Sequence, residues 1–268
     1  MTHYFISDLH LSDKRPDLIQ AFVNLSNILL EHKASDADCK LHIVGDFYEA
    51  WIGDDFQSEW NNTIEQSLIK LSESGLPIKF YHGNRDFLIG HDWANRVGAQ
   101  LVKNTTCIKQ GSHSLLISHG DEACLDDVAY QQFRQMVRQK EWQSQVLSMP
   151  LSKRIALASQ LREDSKQSNS EKMLDIMDVD SSEIDRLMSV NKADIMIHGH
   201  THRPNLHQHV NGTRLVLGDW DKSAWLAVLN DKSLNQYKIN LDFINKETSK
   251  LNFENLISQS ELVHSLDL

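Results

Sequence analysis

HGHTHRP, residues 198–204, puts three histidines, an arginine and a proline into seven positions directly after the apolar run Ile195-Met196-Ile197. Side chains of a strand alternate between its faces, so His198, His200 and His202 at a strand end are expected to point to one side. Neutral imidazole is the commonest metal ligand, and three on one face suggest a metal site. A solvated strand end rich in histidine would read the same way, so the rest of the chain decides. Short apolar, β-branched runs recur along it, each followed by polar residues able to do chemistry: HYFIS before Asp8, KLHIV before Gly45-Asp46, PIKFYH before Gly83-Asn84, HSLLIS before His119 and ADIMI before His198. Helical patterns separate the early runs, one after Pro16 and one from Trp60 to Leu71 that stops at Gly75. This alternation predicts parallel strands in a layered α/β domain, where sites gather at strand carboxyl ends.

From about Asp126 the strand rhythm stops. Tyr130, Phe133, Met136 and Val137, then Val146 and Leu147, then Ile155, Leu157 and Leu161 recur at helical spacing up to about Met173, which predicts a helical insertion. A second helix follows with Asp180 and Glu183 in capping-box positions, and strands resume through TRLVL, SAWLAVL and NQYKINL. After about Phe243 the chain is polar and without a clear period. The expected division is a core of residues 1–125 and 174–243, a helical cap over 126–173, and a partly ordered tail over 244–268.

With 268 residues and 40% hydrophobic content the chain suits one large domain or a domain carrying an insertion. Three cysteines without a CxxC pair fit reduced thiols in a cytoplasm. The start MTHYFISDLHL lacks the pattern of a signal peptide, and no stretch approaches the roughly 18 apolar residues of a membrane span, so a soluble, cytoplasmic protein is expected. A net charge of −10 argues against nucleic acid as a partner, and no obligate protein partner is evident. Between Arg134 and Lys172, however, eight basic residues stand against four acidic ones, a balance of +4 that leaves −14 for the remainder. That balance suits a nucleotide or phosphosugar ligand, and the Leu, Met, Trp and Phe content of the same segment could line an acyl-chain channel.

Collected in order, the strand ends carry D8-L-H10, G45-D46, G83-N84-R85-D86, H119-G120-D121 and H198-G199-H200-T201-H202. Carboxylate, amide and imidazole donors suit borderline-hard divalent ions such as Mn²⁺ or Fe²⁺, whereas thiolates would suggest zinc or copper. There are too many donors for one ion. Two ions roughly 3.5–4 Å apart form the clamp used in phosphoryl transfer and hydrolysis, and a carboxylate must bridge them, with Asp46 the candidate.

The ordered set DxH, GDxxE, GNxD/E, HGD and GHTH resembles the signature of the calcineurin-like metallophosphoesterases. SDLHL, GDFYEAWIGDD, HGNRDFL, SHGDEACLDD, HGHTHRP and MDV at Met177 to Val179 are similar, more closely, to the UDP-2,3-diacylglucosamine diphosphatase branch of that superfamily, over about Thr2 to Leu241. The resemblance implies an α/β fold of two packed mixed β-sheets flanked by helices, with a dimetal site between sheet ends. It places one ion on Asp8, His10, Asp46 and His202 and the other on Asp46, Asn84, His119 and His200, and leaves His198 outside. It implies lipid contacts at Asp127, Ser165, Asn169 and Lys172, through a DD and an S-x3-N-x2-K pattern, with Asn84, Arg85 and His200 also facing the substrate. Asp46, Arg85 and His10 are implied to act at the reacting centre.

Phosphomonoesterases of this superfamily usually carry a histidine where this chain has Arg85. A guanidinium is a poor proton donor but can hold a phosphate oxygen in a fork, which favours a diphosphate substrate whose leaving phosphate needs little protonation. The implied reaction is attack of a metal-activated water on the α-phosphorus of UDP-2,3-diacylglucosamine, releasing UMP and 2,3-diacylglucosamine 1-phosphate in lipid A biosynthesis. Two divalent ions, Mn²⁺ by expectation, serve as cofactors. A peripheral place on the cytoplasmic face of the inner membrane follows from the lipid substrate, with Trp142, Leu147, Met149 and Leu151 of the cap meeting acyl chains and Arg138, Lys140, Lys153 and Arg154 meeting headgroups. A soluble nucleotide or phosphodiester hydrolase of the same superfamily is the alternative, against which the basic, apolar insertion speaks. A binding module without metals is a third reading, opposed by the presence of every ligand position.

Overall fold

The computed structural model describes residues 1–36, 38–103, 105–171, 178–246 and 251–268, and for 165–171 the backbone alone. The first hundred residues alternate as the apolar runs and helical stripes require: β1 (Thr2–Ile6), α1 (Pro16–Ser35), β2 (Cys39–Val44), α2 (Glu59–Glu73), β3 (Ile78–Tyr81), α3 (His91–Val97) and β4 (Ala99–Leu101). Pro16 starts α1, where its missing N–H costs nothing, and Leu18, Phe22, Leu25 and Leu29 form the stripe it buries. Ser58 caps α2 by accepting from the Asn61 N–H at 3.4 Å. These four strands pair in parallel in chain order.

The chain then enters a second sheet through β5 (Thr105–Gln110) and β6 (His113–Ser118), and passes into three helices, α4 (Val128–Val137), α5 (Lys140–Leu147) and α6 (Leu151–Glu171). After α7 (Ser181–Asn191), capped by the Asp180 side chain on the Glu183 N–H at 2.7 Å, it returns through β7 (Ile195–His198), β8 (Asn205–His209) and β9 (Gly212–Val216). The second sheet has five strands in the order β5-β6-β7-β9-β8, with β6, β7 and β9 parallel and both edges antiparallel.

The chain finishes on the far side of the first sheet with β10 (Ser223–Leu229), β11 (Ser233–Asn240), α8 (Leu241–Lys246), α9 (Phe253–Gln259) and β12 (Glu261–Asp267), giving the order β12-β11-β10-β1-β2-β3-β4. Phe5, Val44 and Tyr81 of this sheet meet Leu115, Ile117, Ile195, Ile197 and Leu215 of the other, so an apolar layer lies between two mixed sheets. The outer face of the first sheet packs on α1, α2 and α3, and that of the second on α7 through Leu116, Met196, Ile184 and Met188.

Two expectations change here. The described residues after 243 are built into the fold: β12 pairs with β11 from Lys238↔Glu261 to Ser233↔Asp267, and Ile244, Leu251 and Leu256 are buried. The segment reads as polar because β12 is an edge strand whose side chains are mostly exposed, with the apolar burial carried by isolated residues. The histidine run is not an extended strand end either. Strand β7 stops at His198, strand β1 stops at Ile6, and the residues that follow both leave the extended conformation.

Candidate metal centre

Five of the six non-glycine residues with left-handed backbone among the described residues are Asp8 (φ 55°), His10 (φ 50°), Asp46 (φ 51°), His200 (φ 69°) and His202 (φ 54°). Such a conformation costs an L-residue on the order of 1–3 kcal/mol and persists only where the surroundings impose it. What imposes it is a set of hydrogen bonds between loops: the Asp8 N–H donates to the Gly45 carbonyl at 3.1 Å, His10 N–H to Asp46 at 3.0 Å, and Gly199 N–H to His119 at 3.0 Å. The loops that leave the strands thus hold one another, and each turns its side chain back over the sheet ends. Alternation along a strand, the basis for expecting His198, His200 and His202 on one face, does not operate. His200 and His202 reach the cluster through loop geometry, whereas His198 stays behind in the sheet, bonded to the Gly199 carbonyl at 2.9 Å and to Arg214 at 3.1 Å. Burial and the Arg214 charge hold His198 down at about 3, hence neutral.

Donor atoms converge in two groups, Asp8 with His10 and His202, and Asp8 with Asp46 and His119, each group lying within 4.8 Å. His10 Nε2 and His202 Nε2 face each other at 3.2 Å. Asp8 Oδ2 accepts from Ser7 at 2.6 Å and from the His200 N–H at 2.9 Å, while its buried Oδ1 has no hydrogen bond and lies 3.4 Å from His202 Nε2. An orphaned carboxylate oxygen beside an imidazole nitrogen fits a cation, because a buried charge must otherwise be paired. In the second group Asn84 Oδ1 lies 3.0 Å from His119 Nε2 and 2.9 Å from His200 Nδ1, and Asp46 Oδ1 lies 3.7 Å from His119 Nε2. His119 Nδ1–H donates to the Val44 carbonyl at 2.9 Å, which fixes the ring with Nε2 turned inward, where it could hold a metal. All seven residues expected as ligands are therefore brought together. Asp8 is the carboxylate common to both groups of donor atoms, alongside Asp46 between His119 and Arg85.

The charge states follow from the crowding. Burial opposes the Asp8 charge, yet the neighbouring His202, with His119 and His10, holds its carboxyl far below the usual range. Burial lifts Asp46 against the pull of His119 and Arg85. His119 loses stability as a cation through burial but is raised to about 9 by Asp46 and Asp8, whereas burial and the neighbouring His119 bring His200 down to about 4.

Asp86, the last residue of the GNRD turn, is buried and accepts from the Phe47 and Gly83 N–H groups, each at 2.8 Å, so it staples the loop of Asp46 to the loop of Asn84. A side chain at Gly83 would collide with Asp46 Oδ1, which accounts for the glycine beside Asn84.

A cavity of about 500 Å³ opens from this cluster beneath the helices α4, α5 and α6. Its lining combines Asp46, Asn84, Arg85, His200 and His202 with Phe87, Phe133, Trp142, Val146, Leu157 and Leu161. Arg85 Nε lies 3.5 Å from Asp46 and its Nη1 lies 3.5 Å from Glu49, which also pairs with Arg162. Asp127 caps α4 on the Tyr130 N–H at 3.0 Å and lines the cavity. Ser165 and Asn169 lie on α6 with side chains outside the described residues, and Lys172 lies outside them altogether. Cys124 lines the cavity with burial pushing its thiol up, so it is neutral.

The helices over the cavity are tied to the core by residues whose roles composition did not reveal. Buried Asp121 accepts from Tyr130 Oη and from Arg134 Nε, both at 2.7 Å, and Arg138 lies 3.7 Å from it while donating to the Gly83 carbonyl at 2.9 Å. The Tyr130 ring lies over His200, centroids 5.7 Å apart. Arg154 is buried and donates to Asp55 at 2.7 Å. Arg134, Arg138, Arg154 and Arg162 thus spend four of the segment's eight basic charges on partners inside the protein, so the +4 balance does not translate into a free cationic surface.

The calcineurin-like phosphoesterase family model matches residues 1–204. A UDP-2,3-diacylglucosamine hydrolase of Histophilus somni (strain 129Pt) is 42% identical over 222 residues, which cover 82% of this chain and 93% of that one. The protein of the same name from Cellvibrio japonicus is 43% identical over 229 residues, covering 84% and 93%. Among solved structures, a phosphoesterase from E. coli aligns over 99% of this chain and 98% of its own at 13% identity, with a TM-score of 0.46.

Proposed function

The chain belongs to the calcineurin-like phosphoesterases, and we propose that it hydrolyses the diphosphate of UDP-2,3-diacylglucosamine, releasing UMP and 2,3-diacylglucosamine 1-phosphate for lipid A synthesis. The observation that carries this reading is the continuity of a metal-ligand cluster with an apolar cavity of about 500 Å³ in a chain about 40% identical to hydrolases of that name. Such a substrate has a polyanionic end and an aliphatic end, and the cavity has a wall for each. Turnover of the lipid substrate, set against an acyl-free UDP-sugar, is the test.

Divalent ions held by Asp8, His10, Asp46 and His202 and by Asp46, Asn84, His119 and His200, Mn²⁺ by the mixture of oxygen and imidazole donors, would neutralise phosphoryl charge and lower the pKa of the attacking water. The chain's own part is to place the substrate. Arg85, half-buried at the cavity floor, can turn its guanidinium from Glu49 to a phosphate oxygen. The apolar wall excludes water from the acyl chains, and we assign Asp127 with Ser165, Asn169 and Lys172 to the glucosamine and its substituents on the family pattern.

Arg85→Ala should leave metal content unchanged and lower turnover about 10- to 150-fold, the equivalent of a charge-assisted hydrogen bond of roughly 1.5–3 kcal/mol. Metal analysis beside steady-state kinetics checks it. Full activity of Arg85→His on the lipid substrate would remove the argument that this position selects a diphosphate.

We further place the chain at the inner-membrane surface, reached from the cytoplasm. No helix among the described residues is long and apolar enough to cross a membrane. Leu125, Val128, Met136, Leu147 and Ile155, on the cap helices or their entry, are exposed large apolar side chains suited to an acyl boundary. Trp142 does not serve there, since it packs on Phe87 inside the cavity, and Arg138 and Arg154 are bound internally, which leaves Lys140 and Lys153 for anionic headgroups. Two lysines contribute about 2 kcal/mol, so binding to anionic liposomes should be only partly salt-sensitive. Co-sedimentation at low and high salt measures it. Binding unaffected by Leu147→Ser with Ile155→Ser would contradict this placement.

A further inference from the structure

A second cavity, of about 730 Å³, adjoins the first at the metal-ligand cluster. The apolar cavity is entered past Asp46, Asn84 and His200 and the second past His10, while His202 and Arg85 line both. Glu49, Ala50, Ile52, Ala158 and Arg162 also line both, so the two chambers adjoin at the cluster. A diphosphate at the cluster carries one substituent on each phosphorus, and the two adjoining chambers offer them different polar groups. The second chamber is bounded by Asp13, Lys14 and Asp221 and by the rings of Phe56 and Trp60. Arg15 in the same wall is already engaged, by Asp17 at 3.0 Å and Asp221 at 2.8 Å. Asp13 and Lys14 are exposed and have no hydrogen bond or ion pair among the described residues.

Resting on the reading that the substrate is a UDP-linked lipid, we infer that this second chamber binds the nucleoside monophosphate half, while the apolar chamber holds the acylated sugar. A pyrimidine presents a flat π-face and a rim of donors and acceptors. Phe56 offers the face, and Asp13 and Lys14 offer an acceptor and a donor for the rim. The second chamber also carries Leu11, Leu18, Ile52 and Ile155, so what sets it apart is Lys14, an exposed lysine that the first chamber lacks.

The test is calorimetric titration of the metal-loaded protein with UMP and, separately, with inorganic phosphate. Replacing Phe56→Ala together with Lys14→Ala should weaken UMP about tenfold or more, as loss of a stacking ring does, and leave phosphate within about twofold, because phosphate needs only the metal-ligand cluster. Ser159→Trp, which fills the second chamber from α6 without touching its floor, should weaken UMP in the same way. Leu161→Trp, in the apolar chamber, should leave UMP unchanged and weaken 2,3-diacylglucosamine 1-phosphate. UMP affinity unchanged by the first two variants, or lost in the third, overturns the assignment. Turnover of UDP-2,3-diacylglucosamine by the wild type separates the levels. If turnover is present and UMP ignores the second chamber, the chamber assignment alone fails, whereas absent turnover refutes the substrate reading and the assignment with it.

Discussion

Asp46→Ala is expected to lower turnover about 10³-fold or more and to leave fewer than two ions per chain, because a carboxylate shared by two ions contributes several kcal/mol to the transition state and belongs to both sites. The structure sharpens this expectation. Asp46 stands between His119 and Arg85, and Asp8 is the carboxylate near both groups of donor atoms. Asp8→Ala should therefore also lose activity. If Asp46 is the bridge, its removal depletes both ions, whereas removal of Asp8 leaves the ion of Asn84, His119 and His200 in place. Metal analysis of the two variants distinguishes these outcomes, and two ions at full occupancy in Asp46→Ala would move the bridge to another residue.

Asp121→Ala carries the second large effect. It leaves Arg134, paired to Asp121 at 2.7 Å, without its buried partner, and removes the acceptor of Tyr130 Oη. Stripping one partner from a buried ion pair costs about 3–5 kcal/mol. For a chain of this size that is a fall of roughly 10 °C in the midpoint of thermal unfolding. Because Tyr130 lies against His200 and Arg138 holds the Gly83 carbonyl, a loosened α4 should also raise KM for the lipid substrate more than it lowers kcat. Asp121→Asn, which keeps an acceptor, should recover part of the midpoint. An unchanged midpoint in Asp121→Ala would show that the helices over the cavity are held by other contacts.

Much of the fold was legible in the sequence because its local signals agree: apolar runs at Thr2–Ile6, Cys39–Val44 and Ile78–Tyr81 alternate with Pro-started or Ser-capped amphipathic helices. The candidate ligand residues were legible as residue types at strand ends, although the geometric reason for their convergence is different. Asp8, His10, His200 and His202 face the cluster through left-handed loop conformations, which periodicity does not encode, and His198, which fits the period-two pattern best, is the histidine left in the sheet. The strand Glu261–Asp267 was missed because an edge strand with mostly exposed side chains lacks an apolar signature. Arg138 and Arg154 counted as surface charge for a related reason: their partners, Gly83 and Asp55, lie 55 and 99 positions away, beyond anything a local count can pair. Asp121 and Asp86 stood inside quoted motifs, yet their work, clamping α4 and stapling two loops, appears only once those elements are in space.

The proposed reaction turns on water attacking the uridine-bearing phosphorus of a diacylated UDP-glucosamine at this candidate metal centre. Hydrolysis of UDP-2,3-diacylglucosamine by the metal-loaded protein in ¹⁸O-enriched water, with both products weighed by mass spectrometry, tests it directly. One heavy oxygen is expected in UMP, none in 2,3-diacylglucosamine 1-phosphate, and little turnover of an acyl-free UDP-sugar run alongside. Heavy oxygen in the lipid phosphate would place the attack on the other phosphorus, and equal turnover of the acyl-free sugar would contradict a role for the apolar cavity in choosing the substrate.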